Sequence, residues 1–192
     1  MREQTTQRQA TQTSSKRKSS EKRLDDLFEH ALKDIYYAEK KILKALPKMI
    51  KAANDSELKD GLENHRMETE GHVDKLEQVF GILGKTPKAV KCVAIEGILS
   101  EADEVLEDFG GTKVCDAAII FSGQAVEHYE ITRYGNMHAW ATSLGMDEVA
   151  EIIESILMEE KAADEKLTDL AERRINFAAE EEDEAAGDVE HA

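Results

Sequence analysis

Glu127 and Glu130 stand one helical turn apart in the stretch Gln124-Ala-Val-Glu-His-Tyr-Glu130. Around them a helical stripe recurs at Ala117, Ile120, Gln124, Glu127, Ile131, Tyr134, His138 and Ala141. Its steps alternate three and four, the spacing of one helix face turned toward a core. A carboxylate on such a face is costly unless it is protonated, hydrogen-bonded or bound to a cation. The same fault recurs in three other stripes. Glu39 interrupts Phe28, Leu32, Ile35, Ile42, Leu46, Met49 and Ala53. His65, Thr69 and His72 interrupt Leu58, Leu62, Leu76, Val79 and Leu83, with Glu68 flanking them. Glu160, next to Glu159, interrupts Val149, Ile153, Ile156, Ala163, Leu167 and Leu170.

Carboxylates from four helices at one depth are the ligand set of a dinuclear metal site, which takes a lone Glu from two helices and Glu-x-x-His from two others. In that scheme Glu39 and Glu130 are the lone carboxylates. Glu68 with His65 or His72, and Glu159 or Glu160, form the second pair, and Glu127 adds a bridging oxygen. Carboxylate oxygens with imidazole suit iron or manganese. The structural alternative is that Glu39 or Glu127 accepts hydrogen bonds from Tyr36, Tyr134 or Gln124. His128 lies off its stripe and reads as structural.

These positions require long helices. The spacing predicts helices over 24–53, from Leu58 to about Leu83, over 88–109, over 113–143, and, after a turn marked by Gly145 and Asp147, from Val149 to about Leu170. Ser56 is the expected N-cap of the second helix, and Gly84 and Pro87 its stop signals. Pro47 should kink the first helix without ending it. The two hairpins share a plan: Glu68 precedes Leu76 by eight residues, Glu159 precedes Leu167 by eight, and superposed turns set Glu39 opposite Glu130. The expected architecture is all-α, a four-helix bundle with an additional helix between two helical hairpins.

Composition agrees. The 192 residues suffice for one domain, aromatic residues are 5%, and there are two prolines. No apolar run approaches the ~20 residues that span a bilayer. Residues 1–23 carry seven Lys/Arg against two acids and read as a disordered basic arm; 178–192 carry seven acids and no Lys or Arg and read as a disordered acidic tail. Between them, 24–177 forms the helical domain. The net charge of −16 repels nucleic acid, leaving only weak contact by the basic arm. Cys92 and Cys115 have neither metal nor redox spacing, so reduced thiols in a cytoplasmic setting are expected, with Cys92 in the core.

Residues from about 24 to 175 resemble the YciF-type ferritin-like stress proteins, relatives in fold of rubrerythrin and ferritin. The matching stretches are Asp34-Ile-Tyr-Tyr-Ala-Glu-Lys40, Glu68-Thr69, Cys92-Val-Ala-Ile-Glu-Gly97, Val126-Glu-His-Tyr-Glu130 and Glu159-Glu-Lys-Ala-Ala-Asp164. The resemblance implies a ferritin-like bundle with a dimetal centre, usually as a dimer, and settles no reaction. Two departures stand out. His72 follows Glu68 by four residues where the ferritin spacing is three, and the last helix carries no histidine, only Glu159, Glu160 and Asp164. The leading expectation is a di-iron or dimanganese stress protein reacting with peroxide or oxygen, with Tyr36, Tyr37, Tyr129 and Tyr134 within a turn of the ligands. Lacking rubredoxin-like cysteine pairs, it would draw electrons from an external donor. The alternatives are a non-enzymatic helical dimer that buffers metal or binds partners, and a purely structural bundle.

Overall fold

The computed structural model describes residues 21–180, and every described element is helical. Most of the basic arm and of the acidic tail lies outside the described residues. In chain order the helices are α1 (Leu24–Ala52), α2 (Ser56–Ile82), α3 (Val93–Phe109), α4 (Cys115–Ser143) and α5 (Asp147–Leu170). A π-helical turn, Ala171–Ile175, and a short α6, Asn176–Glu180, continue from α5. The hairpins α1–α2 and α4–α5 form the four-helix bundle. The connection from α2 to α4 runs the length of the bundle and carries α3, which packs on α1 and α4.

Local chemistry sets the ends. Asp55, one residue before the expected Ser56, caps α2 by accepting from the backbone N–H of Glu57 and Leu58, each at 2.9 Å. A carboxylate outcompetes a hydroxyl here because its charge also faces the positive end of the helix. α2 stops at Gly84, whose φ of 65° takes the chain out of the helix while Lys85 N–H reaches back to Phe80 O at 2.8 Å. Gly145, φ 69°, ends α4 in the same way, with Met146 N–H on Ala141 O. α1 runs through Pro47 as one continuous element.

Two expectations are corrected. α3 begins at Val93 instead of 88, because Val90 N–H donates across to Lys33 O of α1 at 3.1 Å and holds this segment against α1. The buried face of α4 is also turned from the expected stripe. Ala117, Gln124, Ile131 and His138 are only half-buried, while Cys115, Ile119, Ser122, Val126, Glu130 and Met137 join Ile120, Glu127, Tyr134 and Ala141 inside. α4 packs against α1, α3 and α5, so it buries a broader arc than a stripe with one neighbour requires.

One end of the bundle is tied by charge. Asp116, at the start of α4, accepts from the N–H of Asn54 and Asp55 at 2.8 and 2.9 Å. Arg174, in the π-helical turn, reaches Asp55 at 2.6 Å. The α1–α2 turn, the start of α4 and the end of α5 therefore meet at this end.

Candidate metal centre

The polar residues in the middle of the bundle sit on the buried faces of their helices for the reason the apolar ones do. Glu39 stands between Ile35 and Ile42 on α1, and His65 and His72 stand between Leu62 and Leu76 on α2. Glu130 shares its face with Val126 and Tyr134 on α4, and Glu160 lies between Ile156 and Ala163 on α5. Glu39, His72 and Glu130 are fully buried, Glu160 is 1% exposed, Glu127 3% and His65 8%.

These six residues converge as two overlapping groups. His65, Glu127, Glu130 and Glu160 each offer a ligand atom within 4.8 Å of the others, and so do Glu39, His72 and Glu160. Glu160 belongs to both, as a carboxylate between two adjacent cation positions would. His65 Nε2 lies 3.4 Å from Glu127, and His72 Nδ1 lies 3.0 Å from Glu160 and 3.7 Å from Glu39. At 3.0 Å the His72–Glu160 contact is short enough for a hydrogen bond but lacks the direction of one, since Nδ1 has no hydrogen-bond partner. Donor atoms that lie close without bonding to one another are the arrangement of ligands around a common ion.

Unpaired atoms point the same way. Nearly all buried polar atoms in folded proteins have partners. Among the described residues, the buried side-chain atoms without one are Glu39 Oε2, His65 Nδ1, His72 Nδ1, Glu127 Oε2, and both oxygens of Glu130 and Glu160; only Arg174 Nε lies elsewhere. The structural alternative accounts for none of these atoms, because the oxygen to which Tyr134 donates is the other one of Glu39, Oε1. Tyr36 instead donates to Glu77 at 2.6 Å, and Gln124 to Asp164 and Thr168.

Glu68 and Glu159 stand outside the cluster. Adjacent positions on a helix point about 100° apart. Thr69 and Glu160 take the buried azimuth, so Glu68 and Glu159 are turned to the rim, with side chains 35% and 39% exposed. Glu68 remains 3.9 Å from His65 Nδ1. Glu159 instead grips His72 from outside. Its Oε2 lies 2.8 Å from His72 Nε2, and Lys75 donates to both of its oxygens at 2.8 and 2.7 Å. An ionised carboxylate only accepts, so the Nε2 proton points at Glu159 and Nδ1 faces the cluster. Such an outer carboxylate fixes the orientation of a metal-binding imidazole. The sequence marked Glu159 for its neighbourhood to Glu160; the spacing His72–Lys75, one turn on the same face, was the available signal for this role. His128 pairs with Asp164 at 3.3 Å on the surface, away from the cluster.

The electrostatics follow from burial. Desolvation, reinforced by Glu160 and Glu39, pushes the carboxyl groups of Glu127 and Glu130 well above the usual range. Burial pulls His72 down, but the Glu160 and Glu39 carboxylates outweigh it and raise its pKa to about 11. Burial would raise Glu159 too, yet Lys75 and His72 hold it below its ordinary value. Metal-free, the cluster is therefore held together by protons, the charge that divalent cations would replace.

Comparison with known proteins fits this architecture. A family model described as a domain of unknown function, DUF892, matches residues 23–180. The protein YciF of Escherichia coli K12 is 41% identical over 160 residues, covering 83% of this chain and 96% of that protein. The chain belongs to the YciF family. The crystal structure of the E. coli stress protein YciF matches with a TM-score of 0.77 and 41% identity, over 81% of this chain and 99% of that one. YcfI from Rhodopseudomonas palustris matches with a TM-score of 0.75 and 48% identity, over 77% of this chain and 94% of that one. A Xanthomonas campestris protein, 24% identical with a TM-score of 0.62 over 80% of this chain and 94% of its own, shares the fold. The YciF-family bundle is thus the scaffold on which the six buried residues converge, and among the described residues no helix is long and apolar enough to cross a membrane.

Proposed function

We propose that this chain is a stress-response protein holding two iron or manganese ions, and that it reacts with peroxide or oxygen. The stress setting is taken from the E. coli relative, which is described as a stress protein. The observation that carries the reading is the set of unpaired buried donor atoms on Glu39, His65, His72, Glu127, Glu130 and Glu160. Four carboxylates and two imidazoles form a donor set suited to these metals. Bound there, the ions would supply two-electron redox chemistry.

The chain's own groups have separable roles. Glu160 belongs to both ligand groups and is the bridging candidate, with Glu130 facing Glu39 across the bundle. Glu159 and Lys75 orient His72, and Tyr134 orients Glu39. Apolar side chains of all four bundle helices flank the carboxylates along the bundle axis. We further propose a homodimer, and an external electron donor, because the two cysteines are both buried and form no electron-transfer pair. The same feature favours a second reading, metal buffering without turnover.

Glu127→Ala tests the metal centre. Iron and manganese content of protein purified without chelator should fall sharply, while the metal-free protein melts at the same temperature or higher because a buried carboxyl has gone. Unchanged metal content with a destabilised metal-free protein would end the proposal. Consumption of peroxide by loaded protein with a reductant separates the redox reading from buffering.

A further inference from the structure

Beside the cluster the bundle is hollow. A cavity of about 270 Å³ is walled by apolar side chains of all five long helices, among them Ile42, Leu62, Leu99, Ile119, Val126 and Leu167. His65 and Glu127, two of the candidate ligands, form part of its wall. The direction of the cavity can be read from residue numbers. It runs from Ile42 to Met49 on α1, from Glu68 back to Glu57 on α2, from Glu127 back to Ile119 on α4, and from Ala163 to Leu170 on α5. On every helix of the bundle the lining begins beside the cluster and proceeds toward the end tied by Asp55, Asp116 and Arg174. The cavity is therefore coaxial with the bundle, with the candidate ligands at its inner end. The eight residues from Glu57 to His65 span roughly 12 Å at 1.5 Å per residue.

We propose that this cavity binds a neutral, straight-chain aliphatic molecule whose polar end lies toward His65 and Glu127, and that such molecules are the substrate class of the site. The substrate assignment rests on the metal centre proposed above; the binding of the chain does not. Three features select this ligand. The walls offer contact to methylene groups, and an apolar cavity of about 150 Å³ already accommodates benzene. The length accommodates a chain of roughly eight carbons, with C–C bonds of about 1.5 Å. At the polar rim Glu57 is neutralised by Arg173 and Arg174, at 2.7 and 3.2 Å, which leaves the carboxylates Asp60 and Glu68 against the single cation of Lys166, an excess that opposes the entry of an anion. The exposed lining residues Asp60, Gly61 and Asn64 of α2 and Lys166 of α5 mark the opening between these two helices.

Gly61 provides the means to close it, since a Cβ there meets nothing within 4 Å. Calorimetric titration of the full chain with n-octanol should show saturable binding, and to chelated protein, where no cation can ligate its head group, octanoate should bind at least about tenfold more weakly for its desolvated charge. Gly61→Phe, which fills the opening, should weaken octanol binding by at least about tenfold while iron and manganese content stays at the wild-type level. Should that variant fold poorly, Ser122→Leu fills the cavity from the opposite wall and should give the same result. Absence of octanol binding by metal-loaded wild type overturns the inference and leaves the metal centre standing. Octanol binding by a protein that takes up no metal overturns the metal centre and the substrate assignment with it. Binding unaffected by both variants, or gained only when residues 1–20 are removed or the chain is diluted to a monomer, overturns the assignment of this cavity to a small molecule.

Discussion

Glu159 and Glu68 form an instructive pair, since each flanks a buried position and only one has an evident partner at the cluster. Glu159 holds the Nε2 side of His72 and is itself held by Lys75. Glu159→Gln should therefore lower metal affinity by about 10- to 100-fold, the usual consequence of removing the carboxylate behind a ligating histidine. Its side chain is partly exposed, so the fold should survive unchanged. Glu68→Gln, 3.9 Å from His65 without hydrogen-bond contact, should leave affinity nearly unaltered. Equilibrium dialysis with Mn(II) compares the two, and equal losses would refute the distinction. Tyr134→Phe removes the one hydrogen bond that Glu39 accepts from a fully buried phenol. It should destabilise the metal-free protein by about 1–3 kcal/mol, the cost of an unpaired buried acceptor. Chemical denaturation after chelation checks it.

At the scale of elements, the tied end of the bundle depends on Asp55. Its carboxylate serves two N–H groups of α2 and Arg174 beyond α5 at once. Asp55→Ala should cost about 1–2 kcal/mol as a lost N-cap. Because the cluster lies several turns along α2 from this cap, metal content should hold. Urea melts read the first quantity and metal analysis the second; a parallel loss of metal would show that this end sets the spacing of the ligands. Gly84, at φ 65°, is the corresponding stop signal at the other end of α2, where an alanine would hold strained backbone.

For the whole molecule, the prominent consequence is an unusual pH dependence without metal. Glu127 and Glu130 have carboxyl groups raised above the ordinary value of 4.5, so the folded state holds protons that the unfolded chain releases. Their favourable contribution is complete below about pH 4.5 and diminishes as the pH rises toward their folded values. His72, raised from 6.5 to about 11, contributes fully below 6.5 and loses its contribution as the pH climbs to about 11. Glu159, lowered, works in the opposite direction and loses its contribution only as the pH falls below 4.5. Chelated protein should thus melt at a lower temperature at pH 9 than at pH 6, and Mn(II) should abolish or reverse that difference. A melting temperature that rises with pH in chelator would contradict the protonated cluster.

The sequence by itself determined the helices and the presence of polar residues on their apolar faces, because both follow from periodicity along one chain. Helix limits came within a few residues except in α3, where the pairing of Val90 with Lys33 is a contact between distant segments. It also placed Glu39, His65, His72, Glu127, Glu130 and Glu160 among the candidates. What it left open were choices between neighbours: Glu159 or Glu160, Glu68 or a histidine, one imidazole or both. Adjacent residues differ by about 100° around a helix, and a face packed on two or three neighbours buries an arc about that wide. Rotation within that arc is set by the other helices. Only the packing of α4 on α1, α3 and α5 put Glu130 beside Glu127 at full depth, and only the inward turn of Glu160 on α5 left Glu159 at the rim, where Lys75 holds it.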